Sequence, residues 1–418
     1  MAITLKSDGG FVLDMEQLMR TVLKDTRDFG LCHLPNYQTS LVPDTADAWI
    51  QSMQFKPAMF NLKAPFMMDS EFRARQANLT SGATPVAVQS ESLFFPQPDY
   101  FENRTENITT AFDGDKAVED APTVSQKKRK RRRREPELNE EDGYLQSATA
   151  DMVSALPNYF TNLLSKDMDN NLSYRAVSTG LLSAEKPELE TGRCYDNLLS
   201  HPTIVSYGLE RYIIPASCRY FSSAFSDVDC LLNDGRRYDF LVVDPPWDNK
   251  SAKRLKKYDF LPEEELLKIP FKELSCEGAL LALWITNNVR TKNFVEERLL
   301  PAWGAVKEAE WTWVKVTRSG EAVCSFSSRH KKPYEKLVFA RMGKRGEGVE
   351  AVADGKVMVS IPSAVHSHKP SLYEVAKMYL PERAECLELF ARSLTPGWTS
   401  WGLQVLKLQN TRLYEASS

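Results

Sequence analysis

The run Asp239-Phe240-Leu241-Val242-Val243-Asp244-Pro245-Pro246-Trp247 decides how the chain reads. An apolar stretch of strand type ends at a carboxylate, and two prolines and a Trp follow. Consecutive prolines remove two backbone donors and fix φ, so neither a strand nor a helix interior continues and a stiff loop is predicted after Asp244. In α/β proteins, binding and catalytic groups sit where the carboxyl end of a strand meets a loop. Here that place presents a carboxylate, proline carbonyls with no competing N–H, and an exposed-looking aromatic face. Such groups suit a planar base with an exocyclic amine. Asp244 and the Pro245 carbonyl would accept its hydrogens, and Trp247 or a nearby aromatic would stack on the ring. The same residues also fit an ordinary strand closed by a Pro-Pro turn.

At 418 residues the chain has room for two or three domains. Its 42% hydrophobic content, with 8 Trp and 20 Phe, is enough for a sizeable core. A formal net charge of −3 excludes a polycation, so affinity for nucleic acid has to come from local patches. No apolar run reaches the length of a membrane span, and Met1 to Gly10 lacks the charged and apolar regions of a signal peptide. The 7 Cys never form a Cys-x-x-Cys pair, which predicts reduced thiols and no structural zinc.

Residues 1–112 read as an N-terminal accessory region, with Met15, Leu18, Met19, Val22 and Leu23 at helical spacing. That stripe is taken as core, without a function. Residues 113–142 read as a disordered charged linker. It holds the unbroken basic run Lys127 to Arg134, then Glu135, Glu137, Glu140, Glu141 and Asp142. The basic run is expected to be a nuclear localisation signal or a phosphate-binding arm, which places the chain in the nucleus, with the cytoplasm as the alternative. A merely solvated linker is the bland alternative. Residues 143–200 form a helical connecting segment, in which Met152, Leu156, Phe160, Leu163 and Leu164 predict a helix over 151–166.

From residue 201 to 418, strands alternate with helices. Strands are predicted at 239–243, 279–285, 310–316, 336–341, 356–361 and 385–390. Their near-continuous apolar character suits a sheet covered on both faces. Helices are predicted after Pro262, over 293–300, and from a capping box at Ser371-Leu372-Tyr373-Glu374. The alternation implies an α/β class with an open, doubly wound sheet.

No Gly-x-Gly-x-x-Gly or Walker loop is present, so nicotinamide binding and nucleotide hydrolysis are disfavoured. The five His form no helical ligand pair, and no metal is expected. Four features remain near the strand end. They are Asp244 to Trp247; the basic loop with Lys250, Lys253, Arg254, Lys256, Lys257 and Tyr258; His366-Ser367-His368-Lys369-Pro370; and Glu385 to Arg392 followed by Gly397-Trp398. Five cations beside a stacking platform form a footprint for a polynucleotide backbone. A solvated loop, a polar turn and a plain strand end are the bland alternatives for the last three.

Asp-Pro-Pro-Trp, Trp284-Ile285-Thr286, Trp313-Val314-Lys315, His-Ser-x-Lys-Pro and Leu-Glu-Leu-Phe-Ala-Arg with Gly-Trp occur in that order over roughly 207–409. The series resembles the adenine amino-methyltransferase family typified by the messenger-RNA adenosine methylase. Asp244 to Ser251, His330 to Glu335 and Thr395 to Gly402 look like its methyltransferase-like protein 4 branch. The resemblance implies a class I, Rossmann-like fold with permuted motif order and S-adenosylmethionine as donor. It also implies roles. Asp244, Pro245, Pro246 and Trp247 would be catalytic, with Asp244 also touching the donor. Lys369, Phe390, Arg392, Gln404, Phe221 and Ser222 would bind the donor. Asn249, the basic loop through Tyr258, and Lys315 would face the nucleic acid. The family usually has Gly-Asn-Gln or Gly-Asn-Glu where this chain has Gly402-Leu403-Gln404, which removes an amide expected near the donor ribose. The implied substrate is 2′-O-methyladenosine in U2 small nuclear RNA, with DNA adenine or a silent scaffold as alternatives. An obligate protein partner is not required by the sequence.

Overall fold

The apolar run before Asp244 is the strand Tyr238–Val243, and alternation decides what each of its faces meets. Phe240 and Val242 join one buried cluster, while Leu241 and Val243 join another on the opposite face. The neighbouring strand divides likewise, with Leu280, Ala282 and Trp284 on the first side and Leu281, Leu283 and Ile285 on the second. A period of two with both faces apolar makes a central strand.

The computed structural model describes residues 3–7, 9–17, 19, 53–60, 62, 138–160, 180, 187, 189–247, 261–328, 331–365 and 367–416. Its strands, in chain order, are β1 (Ile3–Ser7), β2 (Gly10–Leu13), β3 (Met53–Phe55), β4 (Cys194–Asn197), β5 (Thr203–Tyr207), β6 (Glu210–Ile214), β7 (Cys218–Phe221) and β8 (Tyr238–Val243). There follow β9 (Ser275–Ile285), β10 (Ala305–Lys315), β11 (Tyr334–Met342), β12 (Val357–Ser360), β13 (Cys386–Leu389), β14 (Thr399–Trp401) and β15 (Tyr414–Ala416). One sheet runs β1-β2-β12-β10-β11-β9-β8-β13-β14-β7-β4. Its middle is parallel from β9 through β8, β13 and β14 to β7. β11 is antiparallel to both β9 and β10.

This order places a topological switch point between β8 and β13. From β8 the chain passes outward to β9 on one flank, while β13 leads to β14 on the other. The crevice beyond the carboxyl ends of two such strands is where ligands bind in open α/β sheets. Leu389 pairs with Val243, so Asp244 and Phe390 leave the sheet side by side. The strand that ends at Asp244 precedes its neighbour β13 in the chain, which is the permuted order, and the fold is Rossmann-like.

Three sequence expectations change. First, Asn139–Asp142 do not belong to a solvated linker. The Asn139 side chain accepts from the Asp142 N–H at 2.7 Å and caps the helix Glu140–Ser154. Asp142 itself is 1% exposed, accepting from Tyr334 Oη at 2.9 Å and from Lys332 Nζ at 2.6 Å. The helix therefore starts about a dozen residues before the predicted position and ends at Ser154. Second, Ile3–Ser7 and Gly10–Leu13 extend the main sheet, since β1 pairs with β2 and β2 pairs in parallel with β12. Met15 and Met19 are helical and buried. Third, the capping box at Ser371 is absent. Leu372 is already αR, so the single turn Tyr373–Ala376 begins one residue too late for Ser371 to cap it. The basic run 127–134 lies outside the described residues. Among the described residues, no helix is long and apolar enough to cross a membrane.

Candidate active site

β8 delivers Asp244 to the switch point, where both carboxylate oxygens accept from Lys369 Nζ, at 3.1 and 3.0 Å. Lys369 comes from the loop after β12 and also reaches Glu335 Oε2 at 3.2 Å. Glu335 stands on β11 opposite Trp313 and holds Lys315 in a close ion pair. Arg392, just past β13, lies 3.9 Å from Asp244. Alternating charges thus run Lys315, Glu335, Lys369, Asp244, Arg392. Aromatic faces back the cations, with Lys315 4.5 Å from the Trp313 ring centre and Lys369 5.6 Å from that of Trp284.

Burial alone would lower the Lys369 ammonium, and Asp244 and Glu335 reverse this, holding it above its usual value. Burial alone would raise the Glu335 carboxyl, and Lys315 and Lys369 hold it well below the carboxylate range. For Glu388, on β13, Arg392 and Lys369 pull downward but are outweighed. Burial first and the Asp244 charge second push it up to about 8. His368 is pushed down to about 4 by burial and by Lys369 and Lys407, with Nδ1 2.9 Å from Ser363 Oγ. One pocket is lined by Asp244, Lys369, Glu388, Phe390 and Arg392, with Met15 and Met19 among its apolar walls.

The loop after Asp244 differs from the sequence reading in two ways. The Pro245 carbonyl has a partner, accepting the Trp247 N–H at 2.8 Å across a three-residue turn. Trp247 is not an exposed face. It is 7% exposed, packs into the apolar cluster with Val243 and Ile285, and donates Nε1–H to the Trp284 carbonyl at 2.8 Å. A Trp whose N–H reaches a backbone acceptor can be buried at little cost, so here it braces the loop instead of stacking on a base. Pro246 between them is half-buried.

On the other flank, Phe390 has φ 59, a left-handed conformation that turns the chain at the end of β13. Gly402 lies against this bend; a Cβ there would come within 2.8 Å of the Ala391 backbone N and O. The Phe221 side chain is core, and its carbonyl accepts the Gly402 N–H at 3.1 Å. Ser222 follows it half-buried. Leu403 is 49% exposed, and Gln404 lies in the same turn. The structure therefore brings together Asp244, Pro245, Lys369, Phe390, Arg392 and Lys315. Asn249, Lys250, Lys253, Arg254, Lys256, Lys257 and Tyr258 lie outside the described residues.

Sequence reasoning missed Glu335, Met15 and Met19 as site residues. Glu335 has a faint signal, a carboxylate just ahead of the apolar run Leu337 to Ala340. Its pairing across from Trp313 is a matter of register, which no local pattern carries. Among the described residues, no group of three or more His, Cys, Asp or Glu side chains could hold a metal.

A family model described as MT-A70 matches residues 238–404, which include Asp244, Lys369, Phe390 and Gln404. Over 232 residues the chain is 40% identical to N(6)-adenine-specific methyltransferase METTL4 of Homo sapiens, covering 54% of this chain and 49% of that one. It is 37% identical over 188 residues to N6-methyladenosine RNA methyltransferase MTA1 of Cryphonectria parasitica, covering 43% and 55%. It is 30% identical over 273 residues to the DNA N6-methyl methyltransferase of Caenorhabditis elegans, covering 59% and 74%. The chain spans about half the length of the METTL4 proteins it matches. The carboxylates, cations and aromatic ring around Asp244 are the groups that a zwitterionic, purine-bearing methyl donor calls for. Together with the extent of these matches, they show that the chain belongs to the MT-A70 family, whose methyltransferases use S-adenosylmethionine.

Proposed function

We propose that this chain methylates the exocyclic 6-amino group of adenosine in RNA. The observation that carries the reading is Asp244 at the switch point, followed by the Pro245 carbonyl and adjoining the pocket of Lys369, Glu388, Phe390 and Arg392. S-adenosylmethionine supplies an electrophilic methyl group on a sulfonium. Asp244 and the free lone pair of the Pro245 carbonyl accept the two amine hydrogens, favouring the pyramidal nitrogen that attack requires. A carboxylate is a poor base for a neutral amine, so the proton leaves after the nitrogen becomes cationic and positioning dominates.

Lys369 takes one acceptor position on each Asp244 oxygen, and the carboxylate keeps others for the amine. Glu335, 3.2 Å away, helps hold Lys369 in place. Lys369 also suits the donor's methionine carboxylate, and Arg392 and Gln404 its ribose. The buried Trp247 fixes the loop. The target base has to leave its stack to reach Asp244.

The motif likeness to the methyltransferase-like protein 4 branch extends the proposal to internal 2′-O-methyladenosine of U2 small nuclear RNA. DNA adenine is the second reading, favoured by the DNA methyltransferase relative that this chain covers over 74% of its length. A silent scaffold is the third, resting on Leu403. One assay separates them: matched RNA and DNA oligonucleotides with labelled donor, followed by nucleoside mass spectrometry. N6-methylation of the RNA is expected. Equal turnover on DNA would overturn the RNA assignment, and no turnover on either would favour the scaffold. β1 and β2, which complete the sheet edge from within the chain, support action without an obligate protein partner. The basic run Lys127 to Arg134 supports nuclear residence. Deleting residues 127–134 is expected to shift a fluorescent fusion to the cytoplasm, and an unchanged nuclear signal would refute it.

A further inference from the structure

β11 opens with two residues that face opposite ways. Tyr334 pairs with Val314 and joins the buried cluster that holds Leu145 and Met152 of the helix Glu140–Ser154. Glu335 pairs with Trp313, which belongs to the cluster on the other face, and there its carboxylate meets Lys369 Nζ at 3.2 Å. Successive side chains alternate across a strand, so a displacement of Tyr334 carries Glu335 with it. The end of a strand frays unless something ties it down. Tyr334 is tied on two sides. Its hydroxyl donates to Asp142 Oδ1 at 2.9 Å, and its carbonyl accepts from Asn287 Nδ2 at 2.6 Å. Asn287 lies just past the end of β9. Lys336 pairs with Ile285, the last residue of that strand, and in the same register Asn287 stands opposite Tyr334. Its side chain supplies the rung that the β9 backbone no longer provides. Packing alone would need only the ring of Tyr334 and nothing of the exposed Asn287.

We propose that Tyr334 is a positioning residue for methyl transfer: Asp142 and Asn287 fix it at the start of β11, and it fixes where Glu335 meets Lys369. The proposal rests on the methyltransferase reading above. None of these three residues touches Asp244. Their effect passes through Glu335, which shares the Lys369 ammonium with Asp244. Lys369 sits between two carboxylates, so its place depends on the position of both. Asp244 is set by β8 in the centre of the sheet, whereas Glu335 is the second residue of its strand and is only as well placed as the strand's start. Asp142 is 1% exposed and also holds Lys332, two residues before Tyr334, so the helix grips this start at two points. A helix on one face of the sheet thereby fixes a charge on the other.

The test is a double-mutant cycle in the full chain. Tyr334→Phe keeps the ring and removes only the hydroxyl, and Asn287→Ala removes the other tie; each is made alone and together with Glu335→Gln. Methylation of an adenosine-containing RNA, calorimetric titration of S-adenosylhomocysteine and thermal melting are measured for all. In the unmodified background each substitution is expected to lower kcat/KM about ten-fold, as small misplacements far from the chemistry do. S-adenosylhomocysteine affinity should fall about three-fold or more, within the span of coupled neighbours. In the Glu335→Gln background the same substitutions should change both quantities by less than about two-fold, because the residue they act through has lost its charge. A purely structural role gives the same fold-loss in both backgrounds, and that result would overturn the proposal. Unchanged kinetics and affinity in folded Tyr334→Phe would overturn it too, leaving the hydroxyl as an anchor for the helix. Failure of the unmodified chain to methylate or to bind S-adenosylhomocysteine would instead overturn the methyltransferase reading.

Discussion

At the scale of single residues, the site is a chain of charges whose three inner members each meet two opposite charges, and Asp244 is the one that faces the chemistry. Asp244→Asn keeps an acceptor oxygen and the volume but removes the charge that holds Lys369, leaving that ammonium to Glu335. Methylation is expected to fall by about 100-fold or more, as when reacting groups lose their positioning, with melting temperature little changed. Activity within a few-fold of the unmodified chain would remove Asp244 from the centre of the mechanism. Two further groups make stability depend on pH in opposite senses. Glu388 moves from 4.5 to about 8 on folding, so the folded chain binds its proton more tightly. Its contribution is complete below pH 4.5 and is lost as pH rises to about 8. His368 moves from 6.5 to about 4, so its contribution is present above 6.5 and lost as pH falls to about 4. The two oppose each other where the windows overlap, and only Glu388 acts above pH 6.5. Denaturation midpoints should therefore decline from pH 6.5 to about 8, and Glu388→Gln should flatten that decline. A decline of equal slope in Glu388→Gln would show that another group causes it.

At the scale of elements, the helix Glu140–Ser154 is what the sequence hid most completely. The preceding acidic residues look solvated, yet Asp142 ties this helix to Lys332 and Tyr334, immediately before Glu335. Asp142→Ala would leave that ammonium and a buried phenol without their carboxylate. The loss is expected to be about 3 kcal/mol, the low end of the range for broken buried pairs because Lys332 is partly exposed. Chemical denaturation measures it, and a loss under about 0.5 kcal/mol would mean that the helix rests there loosely. Asp142→Asn keeps an acceptor for Tyr334 and should lose less. What the sequence did show follows the same physics. β8, β9, β11 and β13 were legible because continuous apolar runs are what a doubly covered sheet demands. Asp244 was legible because prolines end a strand in a fixed way. β7 and β14 are too short to stand out from their surroundings. Trp247 was misread because nothing local reveals that a backbone carbonyl of β9 waits for its indole N–H.

At the scale of the whole molecule, Ile3–Ser7 and Gly10–Leu13, expected to belong to an accessory region, are strands of the main sheet. β2 lies beside β12 with Phe11, Val12 and Leu13 all buried, and Met15 and Met19 continue from it into the pocket wall. The pocket beside Asp244 is therefore closed by residues more than two hundred positions upstream, and its shape depends on how closely β2 approaches β12. Gly10 sets that approach. A Cβ at Gly10 would lie 1.8 Å from the Val357 carbonyl oxygen and 2.8 Å from the Met152 methyl. The first of these is backbone and cannot turn aside as a side chain can. Gly10→Ala is therefore expected to push β2 off β12 and loosen the helix carrying Met152, with a loss of about 3 kcal/mol or more, the upper end for overpacking. Hydrogen exchange should speed up at β12 and in that helix, and S-adenosylhomocysteine should bind more weakly because Met15 and Met19 move with β2. Unchanged stability and exchange in Gly10→Ala would show that the N-terminal strand is not integral to the sheet, and the pocket would then have to be built without it.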